Sequence, residues 1–154
     1  MWAHYSDHHR GLVIGFDSNH EYFDQRHSPS DEFRHVRKVR YSIDRPVIRL
    51  STMNDAADIL LTKSEEWRYE EEWRMLRPLQ DATETRPSPI GTLHLFSFPP
   101  TCITEVILGY RMSTEFRSEI LEFLRTERDY DHVKILLAEL DNKEFRLNIV
   151  TAEI

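Results

Sequence analysis

Apolar residues in this chain fall into short clusters separated by polar runs, a pattern of strands with a few helices rather than of a helical bundle. Residues 2–9 (WAHYSDHH) suit a short helical turn ended by Gly11. Leu12-Val13-Ile14-Gly15-Phe16 predicts a buried strand, being short, β-branched and bounded by turn residues. Residues 18–33 are polar, with one helical turn around Glu21–Gln25. His35–Ser42 alternates and predicts a strand, with Val36 offset from the Val39/Tyr41/Ile43 row. A helix capped by Ser51 or Asn54 runs to about Lys63 and carries Ala57, Ile59, Leu60 and Leu61. Pro78 to Pro89 reads as a polar connection, Ile90–Phe98 as a strand ended by Pro99-Pro100, and Ile103–Leu108 as an apolar strand stopped by Gly109.

The clearest helix starts at a Ser113 or Thr114 cap and runs to about Arg128, with Phe116, Ile120, Phe123 and Leu124 at helical spacing. Val133–Leu140 and Phe145–Val150 predict two closing strands around a hairpin at Asp141-Asn142-Lys143. The sum is an α+β fold, a single domain over residues 1–154, with a mainly antiparallel or mixed sheet and two substantial helices.

Between these elements lies Trp67-Arg68-Tyr69-Glu70-Glu71-Glu72-Trp73-Arg74, followed by Met75, Leu76, Arg77 and Pro78. Side chains repeat every second residue in a strand, so Glu70, Glu72 and Arg74 would share one face and Tyr69, Glu71, Trp73 and Met75 the other. In a helix Glu70 and Glu72 would diverge by roughly 200°. Trp67, Tyr69 and Trp73 favour the strand. A strand here brings two carboxylates to one place, where they could orient hydroxyls and steady a cationic, oxocarbenium-like transition state. The alternative is a solvated face salt-bridged to Arg68, Arg74 and Arg77.

Composition narrows the field. The 27 acids exceed the 20 lysines and arginines, and the formal charge of −7 disfavours general nucleic-acid binding, which depends on neutralising phosphates. Cys102 is the single cysteine, which excludes an internal disulfide and a cysteine zinc cluster and fits a reduced, cytoplasmic setting. Nothing beside it resembles a thiolate-activating group, and it reads as structural. No apolar run approaches the ~20 residues of a membrane helix, and no signal peptide is visible.

Two further clusters bear on chemistry. His4 and His8 stand one helical turn apart, the spacing of two ligands on one metal, but no H-E-x-x-H pattern accompanies them. His4 and Tyr5 are better candidates to line a ligand cleft. Arg34, His35, Arg37, Lys38, Arg40, Arg45 and Arg49 form a basic stretch able to meet a phosphate or to serve as an exposed strand face.

Two blocks resemble a known family. Met1-Trp2-Ala3-His4-Tyr5-Ser6-Asp7-His8-His9-Arg10-Gly11-Leu12-Val13-Ile14-Gly15-Phe16-Asp17 resembles a W-x-H-Y-[AS]-[DE]-x-H-x-G block. Lys63-Ser64-Glu65-Glu66-Trp67-Arg68-Tyr69-Glu70-Glu71-Glu72-Trp73-Arg74 resembles K-x3-W-x-Y-E-x-E-[WY]-R. With Ile103-Thr104-Glu105-Val106-Ile107-Leu108-Gly109 they mark the bacterial domain-of-unknown-function family 2971, over about Met1 to Gly109. The resemblance implies an N-terminally shortened member, since longer members open with a further region. The Glu-x-Glu stretch followed by an I-x-x-V-I-[LV] strand is also similar to the core of ADP-ribosyltransferases. That second resemblance implies an ADP-ribosyltransferase-like fold with NAD as substrate, Glu72 as the catalytic carboxylate and Glu70 as its activating partner. The arginine or histidine such enzymes contribute from their first strand has no counterpart here.

Three readings therefore stand side by side. One is an NAD-dependent ADP-ribosyltransferase-like domain using Glu72 and Glu70, with His4, Tyr5 and Arg74 binding ligand and a small nucleotide or protein as acceptor. The second is a non-catalytic binding or assembly module anchored by Trp67 and Trp73. The third is a His/Glu metal hydrolase, although no metal ligand set is fixed by spacing.

Overall fold

The structure, a computed structural model, describes residues 2–46 and 55–152. In chain order its elements are α1 (Trp2–Tyr5), β1 (Leu12–Phe16), β2 (Val36–Lys38), β3 (Arg40–Ser42), α2 (Asp55–Leu60), β4 (Thr62–Ser64), β5 (Trp73–Met75), β6 (Glu84–Ser88), β7 (Gly91–Leu95), β8 (Ile103–Leu108), α3 (Thr114–Thr126), β9 (Lys134–Leu140) and β10 (Leu147–Thr151). Short 3₁₀ turns join them, among them Glu21–Phe23, Glu65–Glu70 and Leu79–Asp81. The fold is α+β, and it falls into two compact units, residues 1–18 with 99–154 and residues 19–98. Among the described residues no helix is long and apolar enough to cross a membrane.

The first unit is a four-stranded mixed sheet in the order β1-β8-β9-β10, with β8 and β9 parallel and both outer pairings antiparallel. Parallel neighbours need a crossover, and α3 supplies it between β8 and β9. Register puts Leu12, Ile14, Val106, Leu108, Ile135 and Leu137 on one face and Val13, Ile107, Leu136 and Ala138 on the other. Apolar residues on both faces explain why β8 and β9 read as near-continuous apolar runs. Cys102, Ile103, Val106, Leu108, Met112, Leu124, Val133 and Ala138 are buried. The Ser113 hydroxyl caps α3 by accepting the Phe116 N–H at 3.2 Å.

Strand β1 has the bounds expected from sequence but lies at the sheet edge, so Val13, Ile14 and Phe16 are half-exposed rather than buried. Residues 2–9 do not stay helical. After α1, Asp7, His8 and His9 adopt left-handed backbone with φ of 46°, 53° and 68°. Bonds from Arg10 N–H to the Asp7 carbonyl and from Gly11 N–H to the Ser6 carbonyl close the turn. Each non-glycine residue there costs roughly 1–2 kcal/mol. Gly109 lets this turn approach β8: a Cβ on it would lie 2.6 Å from the Gly11 carbonyl oxygen and closer still to that of His9.

The second unit is built from two-stranded pairs: β2 with β5 and β6 with β7 antiparallel, β3 with β4 parallel. The expected strand His35–Ser42 is divided at Val39. Lys38 pairs with Trp73, the buried Val39 donates to the Glu72 carbonyl, and Arg40 donates to that of Leu61, so the chain changes partner within three residues. Helix α2 ends at Leu60, and Thr62 to Ser64 become β4 instead of continuing it. The caps read at Ser51 and Asn54, and Arg49 of the basic stretch, lie outside the described residues.

The proline-bearing connection hides a strand. Glu84–Ser88 forms a hairpin with Gly91–Leu95 across a turn at Pro89-Ile90, with Gly91 at φ +122°. Pro87 masked it in sequence, and a strand with a single neighbour tolerates proline. The expectation of a strand over residues 69–77 is also corrected. Glu65–Glu70 is a 3₁₀ helix, Glu71 is left-handed at φ 48° and ψ 40°, and the strand begins at Trp73.

Candidate active site

Glu70 and Glu72 still converge, by a route the strand parity did not foresee. Glu70 closes the 3₁₀ helix, and the left-handed Glu71 reverses the chain so that Glu72 enters β5 with its carboxylate returning toward the same point. That point is the Lys63 ammonium, on β4. Lys63 Nζ binds Glu70 Oε2 and, at 3.2 Å, Glu72 Oε2. Glu70 is 5% exposed, an acid that burial would penalise without this cation.

Arg74, on β5 two residues beyond Glu72, grips its carboxylate twice, Nε to Oε1 at 2.5 Å and Nη2 to Oε2 at 2.9 Å. Its Nη1 donates to the Leu60 carbonyl. The Tyr41 hydroxyl accepts the Glu72 backbone N–H at 2.8 Å, tying β3 to the start of β5. The Arg74 guanidinium, with help from Lys63, holds the Glu72 carboxyl below its ordinary range. The hydrogen bond that Lys63 donates to Glu70 in turn raises its ammonium above the ordinary lysine range. Two acids and two cations thus neutralise each other.

Aromatic side chains surround the cluster. Lys63 Nζ lies 4.9 Å from the Trp67 ring centroid, and Arg68 lies 5.6 Å from that of Tyr41. Trp67 and Tyr69 are 6.0 Å apart and, with Trp73, substantially exposed.

Sequence reasoning found Glu70, Glu72 and Arg74 and missed Lys63 and Tyr41. Lys63 opens the quoted motif block, so its spacing of seven and nine residues from the two acids was the available signal. His4 and Tyr5 are exposed residues of α1 in the first unit. The left-handed φ of His8 takes it off the α1 helical repeat, so the one-turn spacing from His4 does not build a shared helical face. Among the described residues no group of three His, Cys, Asp or Glu side chains is placed to hold a metal ion. Cys102 is fully buried and its thiol is pushed up by desolvation, the state of an unreactive structural cysteine.

The family described as Protein of unknown function (DUF2971) matches residues 1–75, which include both the left-handed turn and the Lys63–Arg74 cluster. No curated protein and no solved structure matches the chain.

Proposed function

We propose, for a chain that belongs to the DUF2971 family through residues 1–75, that it is a cytoplasmic binding module presenting Trp67, Tyr69 and Trp73 to a protein partner. The ion-paired cluster of Lys63, Glu70, Glu72 and Arg74 holds that surface in shape. The observation that carries this reading is the state of Glu72. Both its oxygens are already bonded to cations, so its charge is compensated before any substrate arrives. A carboxylate that steadies an oxocarbenium-like state must turn uncompensated charge toward it. The aromatics, in contrast, are 37%, 56% and 60% exposed for Trp67, Tyr69 and Trp73, and exposed tryptophan and tyrosine are the residues that anchor interfaces.

One observation favours a second reading, NAD-dependent ADP-ribosyl transfer: Glu70 and Glu72 do meet at one ammonium. Glu72 would then exchange Lys63 for the nicotinamide ribose, and Glu70 would orient a small nucleotide or protein acceptor. Melting curves with millimolar NAD separate the two. The binding module shows no NAD-dependent rise and a lower melting temperature in Glu72→Gln. A rise that disappears in Glu72→Gln, together with transfer of ADP-ribose, overturns it. Trp67→Ala combined with Trp73→Ala should keep the circular dichroism spectrum while losing partners that the wild type retains on co-purification.

A further inference from the structure

We propose that the cleft at the carboxyl edge of β8 and β9, in the first unit, is a second ligand site for a planar aromatic ring carrying one anionic group. Topology brings its walls together. Strands β8 and β9 are parallel, so the segment leaving β8 at Gly109-Tyr110 and the loop leaving β9 at Leu140 emerge at the same edge. Leu12 pairs with Leu108, which places the left-handed turn at that edge too. The crevice beyond the carboxyl ends of parallel strands is where open sheets bind ligands. This one has a volume of about 770 Å³, within the range of small-molecule sites.

The lining specifies the ligand. One aromatic surface is Tyr110, packed against His9 with ring centroids 5.1 Å apart, and another is the fully exposed Phe145 of the β9–β10 loop. Rings offered by two separate segments suit a flat aromatic guest. The loop is already shaped: Asp141 accepts the N–H groups of Lys143 and Glu144 at 2.8 and 2.9 Å and the Asn148 amide at 2.9 Å. Arg146 is committed to Asp141 and Glu144 at 3.3 and 3.2 Å. Lys143 lines the cleft and makes no ion pair among the described residues, so in a lining whose two acids and two cations balance overall its ammonium is the donor open to an anionic guest.

The test is an NMR titration of the isotope-labelled full chain with adenosine 5′-monophosphate, indole-3-carboxylate and uncharged adenosine. The expected result is movement of the amides of residues 140–147 by at least one of the two anions, with adenosine about tenfold weaker than the nucleotide if the phosphate is the recognised group. Binding of the nucleotide alone assigns the anion to a phosphate and binding of the indole acid alone to a carboxylate; either supports the site. Lys143→Ala should weaken the bound anion about tenfold, and Phe145→Ala should weaken every bound ring. Both residues are exposed, so neither variant threatens folding. Absence of movement with both anions, or binding that neither variant alters, overturns the proposal. Trp67→Ala should leave this titration unchanged, which separates it from the partner-binding reading of the second unit.

Discussion

The two units of this chain are held together by different physics. Residues 1–18 and 99–154 bury Cys102, Ile103, Val106, Leu108, Met112, Leu124, Val133 and Ala138 around a continuous sheet, while their ion pairs, such as Arg10–Asp7 and Arg146–Glu144, lie at the surface. Among the described residues, 19–98 bury Val39, Ala57 and Leu61 and then a charged side chain, Glu70, and their strands come only in pairs. There the ordering is done by charge. Arg34 links Asp31 to Asp81, and Lys63 and Arg74 hold the two glutamates. Apolar burial is nondirectional and tolerates approximate fit, whereas these pairs each depend on one partner's geometry.

That difference is most exposed by paired deletions with independent readouts. Cys102 is the single cysteine and fully buried, so its alkylation reports opening of the first unit. Trp67 and Trp73 report on the second in a Trp2→Phe background. Leu108→Ala should cost the first unit about 2–5 kcal/mol and speed Cys102 alkylation, because Leu108 is 0% exposed. Lys63→Met should instead shift the tryptophan transition, since it removes the cation bonded to both Glu72 and the buried Glu70. If each variant moves both readouts equally, the units melt as one and the contrast fails.

A smaller effect is expected at Gly109. The left-handed turn presses two carbonyl oxygens against the place a Cβ would take, so Gly109→Ala should cost about 1–3 kcal/mol and act on alkylation alone. A neutral result would mean that the turn relaxes freely.

Acid should act more strongly on the second unit. The N–H groups of His27 and Phe33 hold the Asp31 carboxyl down to about 2, and Arg34 and Arg74 hold down Asp81 and Glu72. Lowered folded-state values mean that this stabilisation is complete above the unfolded carboxyl range of about 4 and disappears as pH falls through the folded values. Tryptophan fluorescence should therefore change between about pH 4 and 2. Asp141 of the first unit is also held at about 2, chiefly by the Lys143 N–H, but it orders one loop rather than a core. Alkylation of Cys102 should lag behind fluorescence across that window. The raised Lys63 pKa predicts no loss on the alkaline side until pH passes the ordinary lysine value of about 10.4.

The same contrast explains what could be read from the sequence. β1, β8 and the Ser113-capped helix were legible almost to the residue, because apolar runs and helical spacing are local records of burial. The second unit was legible only in part: the strand expected over Ile90–Phe98 holds β7. Its other strands are three residues long or carry a proline, so periodicity does not register, and Val39 joins two different pairings. Glu70 and Glu72 were found, but on the premise of a strand. The left-handed Glu71 that unites them has no sequence mark, since it is neither glycine nor asparagine.

The smallest expected effect isolates burial from geometry. Arg34 grips Asp81 through Nε and Nη2 at 2.7 and 3.1 Å, and Arg86 grips Glu84 through the same atoms at 2.6 and 3.1 Å. The two forks are nearly superimposable in their distances. Their side chains differ in exposure, 11% for Arg34 against 63% for Arg86. Water screens the Arg86 pair and competes for its donors, and holding two mobile side chains offsets what attraction remains. Arg86→Ala should therefore leave the tryptophan melting transition unmoved, whereas Arg34→Ala, which also releases Asp31, should lower it clearly. Equal shifts would show that fork geometry alone holds the second unit, and the division between its buried and surface charges would fall.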